Sequence, residues 1–220
     1  MRLTVFGATG AVGQEVVRQA LAAGHEVTAV VRDPARLPVG PEPARLPVGL
    51  GAAALHAVVP LGDGAAVRGA VAGRDAVLSG LGARGRKAGD VAERLTGQVL
   101  EAMEAEGVRR LLVVSAAPVG PEPADDPLLD RAVRGVLGVV LKELYADLTR
   151  MEAALAASAT DWTSVRPPKL TNGPLTGTYR TVVGGTPRSG RSIARADVAH
   201  AMLALIDEPA ALKQGVGVAY

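Results

Sequence analysis

Apolar and polar positions along this chain change period several times, and the changes predict an alternation of strands and helices. Residues 3–6 are a short apolar run closed by Gly7, the pattern of a buried strand. Over residues 11–23, Val12, Val16, Val17 and Leu21 fall on one helical face, and Gly24 stops the helix. Residues 27–31 predict a second strand, which completes a βαβ opening.

The helix expected next is missing. Residues 33–51 carry Pro34, Pro38, Pro41, Pro43 and Pro47, which no helix interior tolerates. ARLPVGPEP at 35–43 is followed by ARLPVG at 44–49, a local duplication read as a lengthened surface loop. Regular patterning then resumes. Residues 55–60 predict a third strand, 64–72 a short helix and 75–81 a fourth strand. Residues 82–90 form a glycine-rich basic loop, and Asp90 is placed to cap the helix that ends at Gly107. Residues 110–116 predict a fifth strand. Residues 117–127 are too rich in proline for regular structure. A helical pattern covers 128–157, divided at Gly135 and Gly138, and Asp161–Arg166 predicts a sixth strand ended by Pro167 and Pro168. A short strand at 179–183, a helix at 197–206 and a last strand at 216–220 complete the chain. The pattern predicts one α/β domain over 1–220: a doubly wound, mainly parallel sheet with helices on both faces and no linker.

Composition narrows the function classes. The 220 residues are 48% hydrophobic and 21% charged, which excludes intrinsic disorder. There is no cysteine, so disulfides, thiolate metal sites and a cysteine nucleophile are excluded. A net charge of +2 with no clustered basic face, and only 2% aromatic residues, argue against nucleic-acid binding. No run is apolar enough for a membrane span and no export signal is visible, so a cytoplasmic location is expected. His25, His56 and His200 lack metal-ligand spacing, so no metal site is expected.

The chemistry begins at Gly7-Ala8-Thr9-Gly10-Ala11-Val12-Gly13, where glycines recur every third residue between a strand and an amphipathic helix. Gly7 permits the turn out of the strand, Gly10 leaves room for a pyrophosphate, and Gly13 lets the helix lie close to the sheet. Backbone N–H groups at the helix start, aided by the helix dipole and the Thr9 hydroxyl, suit a phosphate. A dinucleotide is the expected ligand. At the end of the second strand stands Arg32, whose guanidinium suits a ribose 2′-phosphate, with Arg36 able to assist. That favours NADP(H) over NAD(H). Asp33, one residue later, would instead accept from a free 2′-hydroxyl.

GATGAVG at 7–13 resembles the glycine loop of the atypical short-chain dehydrogenases/reductases, and VVRDPARLP at 30–38 is similar to the second-strand region of their NAD(P)H-binding, NmrA-like branch. LLVVSAAP at 111–118, residues 150–180 and SIARADVAHAMLALID at 192–207 resemble later segments of that branch, and the nearest pattern is that of flavin and biliverdin reductases. The resemblance implies a Rossmann fold with the cofactor across the carboxyl edge of the sheet. It implies that Asp63 lies near the adenine, that Leu81 and Gly82 pass beside the adenosine ribose, and that Ser115 faces the nicotinamide. Pro167 and Pro168 would wall its carboxamide side, and residues of about 168–195 would face the substrate.

Most short-chain dehydrogenases use a tyrosine four residues before a lysine to exchange a proton with the substrate. Here Tyr145 is followed four residues on by Thr149, and Lys142 precedes it. Ser115 and Tyr145 are the catalytic candidates, each with a structural alternative: a strand-end hydroxyl satisfying local backbone, and a tyrosine packed between helix and sheet. Arg166 is read either as half of an ion pair or as a contact for an acidic substrate. Asp197 is read as a carboxylate in a helix's first turn. Three functions remain open: reduction of a conjugated small molecule, silent cofactor binding by a regulator, and epimerisation with retained cofactor. The expected partner is a small-molecule substrate, with no nucleic acid or membrane, and the protein a monomer or homodimer.

Overall fold

The computed structural model describes residues 1–31, 55–58, 64–82, 89–121, 127, 135 and 138–220. Arg32, Arg36, Asp63 and the duplication at 35–49 lie outside the described residues. The first strand, β1 (Arg2–Phe6), leads into α1 (Ala11–Ala22) and β2 (Glu26–Val30). Then come β3 (Leu55–Val58), α2 (Gly64–Val71), β4 (Ala76–Ser79), α3 (Val91–Ala105) and β5 (Arg110–Val114). The chain continues through α4 (Lys142–Ala157), β6 (Asp161–Arg166), β7 (Lys169–Thr171), β8 (Arg180–Val183) and β9 (Ser192–Ala194). It closes with α5 (Arg195–Ala204) and β10 (Gln214–Ala219).

The main sheet has eight strands in the order β3-β2-β1-β4-β5-β6-β10-β8. Each neighbouring pair is parallel except β10 with β8, where the edge strand runs antiparallel. This is a Rossmann-type doubly wound sheet. Its central strands carry apolar side chains on both faces: Leu3, Val5, Leu78 and Leu112 pack on one side and Phe6, Val77, Leu111 and Val113 on the other. Helices α1 and α5 cover the first face and α2, α3 and α4 the second. Val12, Val16, Val17 and Leu21 are buried, as the helical period predicts, and Gly24 ends α1 at φ +79°. Strand order reverses at β1, which lies between β2 and β4, so a crevice opens at the carboxyl ends of β1 and β4.

The structure differs from the sequence pattern in three places. Asp90 makes no cap bond to α3. Asp147, wholly buried on α4, accepts instead from the Ala92 and Glu93 amides at 2.9 and 3.1 Å. A carboxylate fixed on a neighbouring helix satisfies those amides without ordering an exposed side chain. Gly135 and Gly138 are helical, and the break before α4 falls at Leu141. Asp197 stands in the first turn of α5, as the sequence suggests, and is wholly buried and bonded to a distant loop. Last, β7 and β9 pair in a small parallel sheet beyond the carboxyl edge. Three residues each are too few for a period to register, and their pairing is set by tertiary contact. Among the described residues, no helix is long and apolar enough to cross a membrane.

Candidate functional site

The glycine loop meets β4 at the crevice. The Gly80 amide donates to the Phe6 carbonyl at 3.0 Å, and the Gly10 amide donates to the Gly7 carbonyl at 2.8 Å. Gly7 has φ +71°, and a Cβ there would stand 2.8 Å from the Gly80 carbonyl carbon. A Cβ on Gly13 would stand 2.3 Å from the Gly7 oxygen. Both positions are closed to a side chain by backbone, so helix, loop and strand touch. Gly10 is different. It has ordinary extended geometry (φ −80°, ψ 157°), and its nearest neighbour to a Cβ is the Gly7 oxygen at 3.1 Å.

Gly10 is also the N-cap of α1, with no side-chain cap bond and no acidic residue in the first turn. The N–H groups of Ala11, Val12 and Gly13 therefore meet the positive end of the helix dipole without a carboxylate competing for them. Such a helix start, with a cradle that a Cβ at residue 10 would fill, fits the pyrophosphate of a dinucleotide. Thr9 is half-buried in the loop, and its carbonyl receives a long contact from Gln14 at 3.4 Å. Across the crevice, Leu81 is buried, its amide donating to the Ser79 hydroxyl at 3.3 Å, and Gly82 lies exposed beside it with open space where a Cβ would stand.

Ser115 and Pro167 come together one strand pair further along. The Ser115 amide donates to the Val165 carbonyl at 2.8 Å and the Ala117 amide to the Pro167 carbonyl at 2.9 Å. Pro167 is buried and Pro168 half-buried. Beneath them lies a charge cluster that the sequence reading missed. Glu152 on α4 accepts from the Ser164 hydroxyl at 2.7 Å and the Arg166 Nε at 3.1 Å, and also from Arg166 Nη2. Arg166 is thus a structural ion-pair partner. Glycines make its seat: a Cβ on Gly215 would fall 2.2 Å from the guanidinium, and one on Gly120 2.8 Å away.

Burial works against charge on Glu152, but the hydrogen bonds from Arg166 and Ser164 outweigh it and hold its pKa below the ordinary 4.5. The Ser115 hydroxyl is shielded from solvent and has no partner within hydrogen-bond geometry among the described residues. A signal for this cluster was present: Glu152 shares a helical face with Leu148, Met151 and Leu155, all buried.

Tyr145 is half-buried against the core beneath α4, and desolvation raises its pKa above 10. The hydroxyl of Thr149 donates to the Tyr145 carbonyl at 2.8 Å. The remainder of α4 holds α3 in place, with Arg150 bonded to Glu93 at 2.6 Å and to the Gly89 carbonyl at 2.9 Å. Tyr179 hydrogen-bonds with His200 at 2.7 Å, and burial, with the charge of Asp197, pushes its pKa up to about 12. Among the described residues, no three carboxylate or histidine side chains group as metal ligands.

Fold and loop together define a nicotinamide-dinucleotide-binding Rossmann protein. Residues 7–209 match the model of the NAD(P)H-binding family, and the chain belongs to that family. Solved structures agree on the fold. A wide-type short-chain dehydrogenase/reductase from Veillonella parvula DSM 2008 in complex with NADP superposes with a TM-score of 0.75 at 18% identity, covering 100% of this chain and 94% of the other. An anaerobillin reductase from Escherichia coli O157:H7 gives 0.74 at 20% identity, covering 100% and 97%. A proposed NADH-flavin reductase from Streptococcus pneumoniae TIGR4 gives 0.74 at 21% identity, covering 100% and 99%.

Proposed function

We propose that this protein is an NADPH-dependent reductase of a conjugated small molecule, of the flavin, quinone or linear tetrapyrrole class. The observation that carries the proposal is an open phosphate cradle beside a carboxyl edge whose hydroxyls are not activated as acids. The Tyr145 phenol is held neutral by burial, and no hydrogen bond from the described residues polarises the Ser115 hydroxyl. An acceptor that needs no strong acid suits such a site, because its conjugated system takes a hydride and then a proton from water. The reduced nicotinamide, when bound, supplies that hydride.

The residues of this chain would do the rest. Amides of residues 11–13 hold the pyrophosphate, and Leu81 and Gly82 border the ribose. Arg32, with Arg36, would read the 2′-phosphate, and Asp63 would serve the adenine, as the sequence resemblance implies. Ser115, fixed between β5 and β6, borders the nicotinamide end with Pro167 and Pro168. The family and the reductases that share the fold support a reductase with a small-molecule substrate.

The test is NADPH oxidation followed optically with FMN, biliverdin and 1,4-naphthoquinone, with NADH in parallel. Saturable turnover with preference for NADPH is expected. Tight NADPH binding with no turnover of any acceptor would favour the silent regulator and overturn the proposal.

A further inference from the structure

Asp197 is wholly buried at the first turn of α5, and it bonds to two segments remote in the chain. Its carboxylate accepts from the Thr176 amide at 3.0 Å, the Gly177 amide at 2.8 Å and the Thr176 hydroxyl at 2.9 Å. It also accepts from the Tyr220 hydroxyl at 2.5 Å. That hydroxyl in turn accepts from the Ala194 amide at 3.1 Å. Two residues before Asp197, at the first position of α5, Arg195 donates to the Asn172 side chain at 2.5 Å. Residues 172–177 are therefore fastened at both ends to the start of α5.

This segment lies beyond the carboxyl edge of the sheet. It follows β7, which pairs with β9 outside the main sheet, and Tyr220 follows β10, whose Gly217 is level with Arg166 at the end of β6. Residues 172–179 take part in neither sheet, and Thr176 and Gly177 are exposed. Their amides have Asp197 as the acceptor that orders them. Burial works against charge on Asp197, but bonds from Tyr220, Gly177 and Thr176 prevail and keep it ionised.

We propose that Asp197 is a positioning residue for the acceptor: by clamping residues 172–177 to α5 and to the end of β10, it fixes the segment that borders the substrate end of the site. The proposal rests on the reductase reading above. Between the two fastenings lie Gly173, Pro174 and Leu175, with Leu175 exposed, so the clamp presents a short rigid wall with one apolar side chain. Asp197 Oδ1 accepts from the two amides and Oδ2 from the two hydroxyls, so an amide side chain there takes the charge from the amide bonds and makes both hydroxyls turn to accept.

The test uses the full chain with Asp197→Asn, and with Tyr220→Phe as a milder variant that removes one bond to the carboxylate. Hydrogen exchange at the Thr176 and Gly177 amides should rise about tenfold or more in Asp197→Asn. With NADPH and whichever of FMN, biliverdin or 1,4-naphthoquinone the wild type reduces, KM for the acceptor should rise about tenfold, with kcat held within about threefold. NADPH affinity by nicotinamide fluorescence should stay within about twofold. Unchanged exchange in Asp197→Asn overturns the clamp without reference to turnover. Faster exchange with an unchanged acceptor KM, or a parallel loss of NADPH affinity, overturns the positioning role. A wild type that binds NADPH but reduces none of the three acceptors defeats the reductase reading and, with it, the acceptor role, while the exchange result still judges the clamp.

Discussion

Gly10 and Gly13 stand three residues apart in one loop, yet alanine at each should do different damage. At Gly13 the new Cβ would lie 2.3 Å from the Gly7 oxygen and 2.8 Å from its carbonyl carbon, both backbone atoms. Replacing a helical glycine by alanine gains about 1 kcal/mol of helix propensity. Overpacking a closed site costs about 1–3 kcal/mol, and the upper end applies where no side chain can yield. The net loss is about 2 kcal/mol, which lowers Tm by about 4–8 °C for a chain of this size. At Gly10 the geometry is ordinary and the nearest contact is 3.1 Å, so the Gly7 carbonyl need move only slightly. The smaller entropy of the unfolded chain offsets that by about 0.4–1 kcal/mol, so Tm should stay within about 2 °C. The new methyl instead occupies the phosphate approach. Losing one charge-assisted hydrogen bond of about 1.5–3 kcal/mol weakens binding about 10- to 100-fold. Thermal unfolding of both variants, with nicotinamide fluorescence titration of NADPH, separates the two effects. Full NADPH affinity in Gly10→Ala, or unchanged stability in Gly13→Ala, would refute the reasoning.

Other predictions follow from the same geometry. Arg32→Asp should weaken NADPH while sparing NADH, and equal weakening of both in paired titrations would remove Arg32 from the 2′-phosphate. Glu152→Leu leaves the Arg166 guanidinium buried without its partner, so urea unfolding should show a loss of about 3 kcal/mol, at the low end for a broken buried pair. Because the folded pKa values of Glu152 and Asp197 lie below their ordinary 4.5 and 3.8, the stability they contribute is present above those values and lost as pH falls through the folded ones. Acid denaturation of Glu152→Gln should accordingly be flatter than that of the wild type below pH about 4.5. Tyr145→Phe should leave kcat for a conjugated acceptor within about threefold, and a loss of about a hundredfold would make the phenol a proton donor after all.

Much of the fold was legible because its strands and helices bury regular patterns. Residues 3–6 and 111–114 are apolar runs inside a parallel sheet, and Val12, Val16, Val17 and Leu21 mark the buried face of α1. The glycine loop was legible for a different reason: Gly7 and Gly13 are positions where backbone touches backbone, and only glycine fits. What the pattern did not show were the polar contacts between distant segments. Asp147 caps a helix that begins more than fifty residues earlier, at Ala92 and Glu93. Glu152 pairs with Arg166 across a helix–strand contact, and Asp197 reaches Thr176, Gly177 and Tyr220. Each is a carboxylate among apolar neighbours, a sign that a partner exists but not of which one. Asp90 was credited with a cap because local sequence names the nearest carboxylate, whereas the fold supplies a better-buried one.

The central claim is hydride transfer from a bound nicotinamide to a conjugated acceptor. It is tested most directly by anaerobic reaction of the protein with NADPH carrying deuterium at one face of C4, against FMN, biliverdin and 1,4-naphthoquinone. The account predicts one acceptor reduced per NADPH oxidised, with a primary isotope effect for one C4 face and none of comparable size for the other. Saturable NADPH binding without oxidation, against all three acceptors, would contradict it.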